Sequence, residues 1–442
     1  MTATSITQPA ESVSMRPFFT IWTGQVFSLL GSELVQFALI WWLTTTTGSA
    51  TVLALGTMMA VLPRIFVSPI AGALVDRWNR RAVMIVADGL SALAVVLLAV
   101  LFALDRAQVW HIYALTFIRA SAGAFHWPAM QASTTLMVPQ KHLARIAGLN
   151  QVLYGLAPIV GPPLGALLLG ALPIQGVLAV DVGTAMLAIA PLFFVHVPQP
   201  ERTPATDGAP QGSVFADLRE GLRFLRGWPG MLMAMGIAML VNLFLYPAMS
   251  LQPLLATERF GGGALELACL QSAFGVGTVA GGIALGVWGG FKRRTVTALS
   301  ALALHGISFF VVGLAPTDGF PLAVGAMFLA WFTLAIASGS IIAVFQVTIP
   351  PNVQGRVFTL LQSGGGAMAP LGLAITGPLV DALGVRFWFV ASGVAIAAIG
   401  VGAFFVPALL YIEDRATTAA APGEGEPAHV GGDTPRVAAS AG

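Results

Sequence analysis

Four charged residues stand deep inside apolar stretches of this sequence: Glu33, Arg64, Arg119 and Asp181. A charge facing lipid costs several kcal/mol, so each must face an interior, water or a partner. The chemistry such residues support is reversible proton binding. A carboxyl in a desolvated cavity can take up and release a proton near neutral pH, and a nearby arginine tunes it. Glu33 is the first choice for a proton-coupling acid, with Arg119 in coupling or tuning and Asp181 as a secondary titrating site. A fixed interior ion pair between Glu33 and Arg119 is the alternative reading of the same positions. Arg64, directly after Pro63, either steadies broken helix geometry or lines a path. His111, His126, His142, His196, His305 and His429 are dispersed, and none pairs with an acid at metal-ligand spacing. No catalytic group, metal or cofactor is therefore expected, and His126 reads as local packing.

The elements that position these residues follow from composition. Hydrophobic residues make up 57% of the 442-residue chain and charged residues only 9%, where soluble domains run near a quarter charged. The apolar stretches are 18–44, 51–75, 82–103, 109–131, 146–170, 174–196, 229–254, 265–289, 295–315, 320–349, 356–380 and 384–410. All twelve meet the roughly 20 residues a spanning helix needs, and the longer ones imply tilt or extension beyond the hydrocarbon. The expected fold is an all-α polytopic membrane protein with twelve transmembrane helices in two pseudo-symmetric six-helix bundles.

Orientation follows from alternate loops. With the N-terminus inside, inner loops hold Arg77, Arg80, Arg81, Lys141, Arg145, Arg202, Arg219, Arg223, Arg226, Lys292, Arg293, Arg294 and Arg356; outer loops hold only Arg106, Arg259 and Arg386. Both termini are thus expected in the cytoplasm. At 1.5 Å per residue, Glu33 then lies roughly 22 Å into a helix entered from the cytoplasm, and Arg119 about 15 Å into one entered from outside. Asp88 lies only a turn or two inside its helix and reads as part of the inner-loop charge network.

The chain divides into a leader (1–17), a first bundle (18–196), a linker (197–228), a second bundle (229–412) and a polar tail (413–442). The leader lacks the pattern of a signal peptide. In the linker, Phe215, Leu218, Leu222 and Leu225 share one helical face, which suits an amphipathic helix at the inner interface. Weak internal symmetry supports duplication: the basic end Asn79-Arg80-Arg81 after the second span matches Lys292-Arg293-Arg294 after the eighth. Six-plus-six duplication is a transport layout with the path between halves. No phosphate-binding loop ending in Gly-Lys-Ser/Thr supports an ATP-driven pump. No filter sequence supports a channel, and no basic/aromatic surface supports a nucleic-acid partner.

The loop Gly72-Ala-Leu-Val-Asp76-Arg77-Trp78-Asn79-Arg80-Arg81 closely resembles the motif between the second and third helices of the major facilitator superfamily. Arg119-Ala-Ser-Ala-Gly123 resembles its arginine-bearing fourth-helix motif. Gly155-Leu-Ala-Pro158-Ile-Val-Gly161-Pro162-Pro163-Leu-Gly165 resembles the glycine-proline motif of its drug/proton antiporters, with Ala166 where a second Gly is common. The opening Phe19-Thr-Ile-Trp22-Thr-Gly24-Gln25 resembles the branch of macrolide-type drug exporters and catecholate-siderophore exporters. The resemblance spans about residues 16–412 and implies export coupled to protons.

Physical roles can be set beside that resemblance. Gly72 is expected to let helices approach closely, and Asp76 to sit near a helix N-terminus or an arginine as a gating acid. Arg77, Arg80 and Arg81 either join that network or only set topology. Pro158, Pro162 and Pro163 are expected to interrupt hydrogen bonds in helix five, while Gly155, Gly161 and Gly165 permit tight packing. Candidate pocket residues are Gln36, Asn150, Gln151 and Tyr154 in the first half, and Asn242, Tyr246, Gln271, Gln346 and Gln362 in the second. The expected function is proton-coupled export of amphiphilic small molecules or drugs, with a dedicated siderophore or secondary-metabolite exporter as the alternative. Small amphiphiles, protons and membrane lipids are the implied partners, a monomer the expected state, and a bacterial inner membrane the expected location.

Overall fold

The computed structural model describes residues 15–75, 77–199, 223 and 226–413. The expected linker helix, nearly all of the leader and the tail beyond residue 413, as well as Asp76, lie outside the described residues. The first half contains α1 (Arg16–Thr47), α2 (Ala50–Phe66), α3 (Ser68–Val75), α4 (Arg80–Ala103), α5 (Val109–Met137), α6 (Gln140–Ala171) and α7 (Ile174–Phe194). The second contains α8 (Pro229–Ser250), α9 (Ala264–Trp288), α10 (Arg294–Leu314), α11 (Phe320–Thr348), α12 (Pro351–Leu383) and α13 (Val385–Gly402). Among the described residues there is no strand.

All twelve expected spans are present, with α2 and α3 sharing the second. A turn at Val67, flanked by Pro63 and Pro69, separates those two segments. Among the described residues, ten helices are long and apolar enough to cross a membrane by length and composition alone, and α5 is not among them. It is the span that carries Arg119 and His126, so its polarity is spent inside the bundle. α6 and α12 overrun their expected spans at both ends. The seventh span stops at Ser250 and is followed by a short turn and a π turn, Leu255–Arg259.

Duplication is visible in the packing. In the first half α4 lies against α5 and α7, α2 against α5, and α1 against α6; in the second α10 lies against α11 and α13, α9 against α11, and α8 against α12. Each of these pairs is repeated, whereas the extensive α1–α7 contact has only a slight counterpart between α8 and α13. Glycines let backbones approach, as where Gly24 of α1 meets the Leu187 carbonyl of α7. Outward faces carry large apolar side chains, among them Phe194, Val287 and Phe405, which lipid rather than water must cover.

The halves touch through two symmetry-related seams, α2 with α12 and α6 with α9. One apolar core, including Phe37, Leu53, Leu254, Leu267 and Trp331, joins both halves toward the end that carries the α1–α2 turn. At the opposite end, marked by Arg77–Arg81 and Lys292–Arg294 and here termed the basic end, each half keeps its own core. Phe18, Val83 and Ile146 belong to one, and Met231, Phe345 and Val357 to the other. The molecule is closed at the far end and parted at the basic end.

Candidate functional site

The ionisable residues of the first half are assembled by three helices. Arg119 of α5 lies 3.7 Å from the Asp181 carboxylate of α7, and it donates to Ser32 Oγ of α1 at 3.3 Å. Asp181 is buried. Gly31 makes room for this pair, because a side chain there would stand 2.6 Å from Asp181 Oδ1. The cluster is under-satisfied: Arg119 Nε and Asp181 Oδ1 are buried without hydrogen-bond partners. Such atoms are costly unless a proton, water or ligand meets them in some state of the cycle.

Glu33 follows Ser32 on α1 and so points about 100° away from it. It does not pair with Arg119. The fixed Glu33–Arg119 ion pair weighed from the sequence is replaced by Arg119–Asp181, because α7 rather than α1 presents an acid to α5. Glu33 turns to α6, where a side chain on Gly161 would come within 2.7 Å of its Cβ. Gly165, one turn on, faces Phe37 at 2.8 Å in the same sense. Gly161 and Gly165 of the antiporter-like stretch are thus the groove that holds the Glu33 face of α1. Arg64, in the last turn of α2 where a cation suits the negative helix end, is the positive charge acting on Glu33.

Asp88 also departs from expectation. The sequence reading joined it to the inner-loop charges; instead its carboxylate accepts from Gln25 Nε2 of α1 at 2.9 Å and lies 3.3 Å from His126 Nε2 of α5. The basic-loop arginines are engaged elsewhere. Arg80 donates to the Ala132 carbonyl at 2.9 Å, and Arg81 donates to the Leu192 and Phe193 carbonyls. The last two are orphan acceptors of the α7 C-terminus, which cations satisfy. Arg77 is exposed. Gly72 was expected to permit close helix approach, but a side chain there would meet nothing within 4 Å. Gly155 needs no special size either, since its nearest neighbour is Val279 at an ordinary 3.5 Å.

The prolines of α6 leave the helix unbroken from Gln140 to Ala171. Pro163 has no N–H for the Ile159 carbonyl, and Ser272 of α9 donates to that carbonyl at 3.0 Å from the other half. Gly275 packs against Ile159 at the same place, with 2.5 Å left for a side chain. At the far end of the other seam, Asp381 of α12 caps α2. It accepts from Ala50 N at 2.6 Å, Ser49 Oγ at 3.1 Å and Thr51 N at 3.2 Å. Thr57 and Ser250 hydroxyls meet at 2.8 Å nearby. Sequence reasoning missed Asp381, although an acid facing the start of a helix is electrostatically apt. Glu258, outside the spans, has its carboxyl held above the usual glutamate range by partial burial and then by the Asp381 charge.

Residues 21–373 match the model of the Major Facilitator Superfamily. The chain belongs to that superfamily. It is 32% identical over 385 residues to the macrolide efflux protein A of Streptococcus pyogenes, covering 87% of this chain and 94% of the relative. It is 30% identical over 393 residues to the multidrug efflux pump Tap of Mycolicibacterium fortuitum, covering 86% and 93%. A solved bacterial homologue of the human lysosomal transporter Spinster, described as inward-facing and unoccupied, superposes with a TM-score of 0.65 at 14% identity, covering 93% of this chain and 99% of that one. Membership makes the protein a multi-pass membrane transporter, not an enzyme.

In this superfamily member the nominated pocket residues separate into groups. Asn150 ties α6 to α1 by accepting from Trp22 Nε1 at 2.8 Å, so it is a structural link near the basic end. Gln36 lies three residues beyond Glu33, on a neighbouring part of the same face. Gln36, Gln151, Tyr154, Gln346 and Gln362 are exposed, while Tyr246 and Gln271 are half-buried. Asn242 lines a cavity of about 190 Å³ among α8, α10 and α11, walled mainly by Ile237, Leu302 and Leu334 with Ser338 as a second polar group. That cavity lies inside the second bundle rather than between the halves. The histidine of α10, His305, is fully buried and bonded to the Ala330 carbonyl at 2.7 Å, a packing role.

Proposed function

We propose that this transporter exports amphiphilic small molecules, drugs among them, in exchange for protons, by alternating access across a bacterial inner membrane with both termini in the cytoplasm. The observation that carries the reading is the under-satisfied Arg119–Asp181 pair with Glu33 one residue from its Ser32 anchor. It is a set of buried ionisable groups in one half with unused hydrogen-bonding capacity. Protonation of Glu33 or Asp181 removes a charge that Arg64 or Arg119 faces, and so changes how α1 sits against α6 and α7. The groove that holds Glu33 belongs to α6, which also forms a seam with the other half. Loading of the acid and opening of the seam are thereby mechanically connected.

The basic end is cytoplasmic in this reading, so the parted end receives substrate from the cytoplasm. The far-end seam, sealed by Asp381 and the shared apolar core, separates before release. The second half contributes apolar surface and exposed neutral groups such as Gln346 and Gln362, suited to bulky substrates that differ in shape. The functions named for the two curated relatives, macrolide and multidrug efflux, favour drugs over a dedicated siderophore. The path lies within one chain, and the protein works as a monomer among lipids.

The test is parallel efflux of a cationic dye, a macrolide and a ferric catecholate from cells that overproduce the protein. Efflux of dye and macrolide is expected, with little of the iron chelate. Export of the chelate alone assigns the dedicated siderophore role instead, and accumulation driven by an inward proton gradient assigns import.

A further inference from the structure

We propose that Gln25, Asp88 and His126 form a second proton-binding site in the first half, a lower rung beneath the Ser32–Arg119–Asp181 cluster on the basic-end side. The proposal rests on reading the protein as proton-coupled. Its basis is a repeat in register. Ser32 and Gln25 are seven residues apart on α1, and Arg119 and His126 are seven apart on α5. Seven residues return to nearly the same helix face about 10 Å away. The helices are antiparallel, so the two pairs line up as rungs. Each rung has a neutral polar group from α1, a basic residue from α5 and an acid from a third helix, buried Asp181 of α7 above and partly buried Asp88 of α4 below.

The lower rung is built to hold a titrating imidazole. Gln25 donates to Asp88 Oδ2 at 2.9 Å and fixes the carboxylate, leaving Oδ1 3.3 Å from His126 Nε2, a buried nitrogen that makes no hydrogen bond in this arrangement. Both side chains are largely enclosed, with 12% of the Asp88 and 19% of the His126 side chain exposed. Imidazole is the side chain whose ordinary range spans physiological pH. The other titratable groups of α5 are His111 and Tyr113, in its first two turns, and Arg119, in the upper rung; α6 carries Lys141, His142 and Arg145 in its first turns, and exposed Arg77 follows α3. On α1 the ionisable groups are Arg16, at the basic end, and Glu33, which faces α6. On α2 Arg64 acts on Glu33, and α3 (Ser68–Val75) carries no ionisable residue. On α4 Arg80 and Arg81 are spent on backbone carbonyls, and on α7 Asp181 belongs to the upper rung.

The chemistry is a simple proton exchange. The neutral imidazole accepts one proton to become imidazolium, stabilised by the Asp88 carboxylate, and returns it to water entering from the parted basic end. No other co-reactant is needed. The rung shares α1 and α5 with the upper cluster, so its loading bears on the same helices that hold Glu33 and Arg119.

The experiment uses the full chain in vesicles. Proton movement and export of a neutral macrolide are recorded together from about pH 5 to 8, the span in which imidazole titrates. His126→Gln keeps a hydrogen-bonding group but cannot titrate there; Asp88→Asn keeps the shape and removes the charge. The parental protein should show an inflection in that range. Both variants should lose it and move fewer protons per substrate, while retaining proton-independent exchange of labelled for unlabelled substrate. If His126→Gln fails to insert, Asp88→Asn alone decides. A coupled parent beside variants with the parental pH profile and proton count overturns the second site and leaves the coupled exporter standing. An uncoupled parent overturns both.

Discussion

Glu33 of α1 packs on Gly161 of α6, so under the proposed coupling substitutions on either side of this contact should disturb it. Glu33→Gln, which cannot release a proton, is expected to reduce gradient-driven export to background while substrate binding is retained; full-rate driven export by this variant would remove Glu33 from coupling. Gly161→Val forces a side chain into the 2.7 Å space over the Glu33 Cβ. Overpacking of this kind costs about 1–3 kcal/mol, and the thermal midpoint of the purified protein should fall. Gly72→Ala is the contrasting case. A side chain there meets nothing within 4 Å, so its effect should stay within about 0.5 kcal/mol. Equal midpoints for the Gly161 and Gly72 variants would contradict the groove. The deep ionisable residues were legible in the sequence because charges in apolar stretches stand out. Their pairing was not legible. Whether Arg119 meets Glu33 or Asp181 depends on the rotational phase of α1, α5 and α7, and hydropathy carries no such information. The seven-residue spacing of Arg119 and His126 was a usable signal that dispersed histidines obscured.

The element with the clearest conformational consequence is α2, whose N-terminus is capped from the opposite half by Asp381. Asp381→Asn weakens an acid-on-helix-end interaction by about 1–2 kcal/mol, which changes a two-state ratio by roughly 5- to 30-fold. Spin labels on the exposed positions Thr46 and Leu383 should then report a larger fraction of separated far ends; an unchanged distance distribution would show that the cap does not hold the seam. Glu258 adds a pH dependence with a definite sign. Its carboxyl is held above the usual range in the closed arrangement by burial and by Asp381, so closure takes up protons. Asp381 works the other way: although partial burial raises it, the hydrogen bonds it accepts from Thr51, Ala50 and Ser49 hold its carboxyl below the usual aspartate range, so acid weakens the cap. Glu258→Gln should remove the proton uptake and leave a closed fraction that falls as pH drops through the carboxylate range. Span positions were readable because lipid demands continuous apolar runs. Span ends were not, since α6 and α12 continue as helix beyond the hydrocarbon where hydropathy has already changed. Asp381 escaped notice because an acid at the end of a span is unremarkable until the partner helix is in place.

The whole molecule divides its work unevenly between halves that share one architecture. In the proposed alternating-access cycle, the repeated packing pairs and the two matching seams are the architecture on which one half would rock against the other. The buried acid–base clusters belong to the first half, whereas the second offers an apolar interior with neutral groups. Of the basic-loop residues, Arg80 donates to a carbonyl of α5 and Arg81 to the terminal carbonyls of α7, and a gating role for Asp76 of that loop remains part of the proposal. The overall layout was legible from composition and loop charge; the closed far end was not, because it is a property of one state of the cycle. The claim on which the rest depends is exchange of protons for substrate. The most direct measurement is efflux of neutral and cationic amphiphiles from vesicles under separately imposed pH and voltage gradients, with parental protein beside Glu33→Gln. Each net charge moved is worth about 2.3 kcal/mol per 100 mV, so export of a neutral substrate should accelerate with either gradient. Export of a monovalent cation against a single proton should respond to pH alone, and Glu33→Gln should respond to neither. Parental export that is insensitive to both gradients for every substrate would contradict proton exchange.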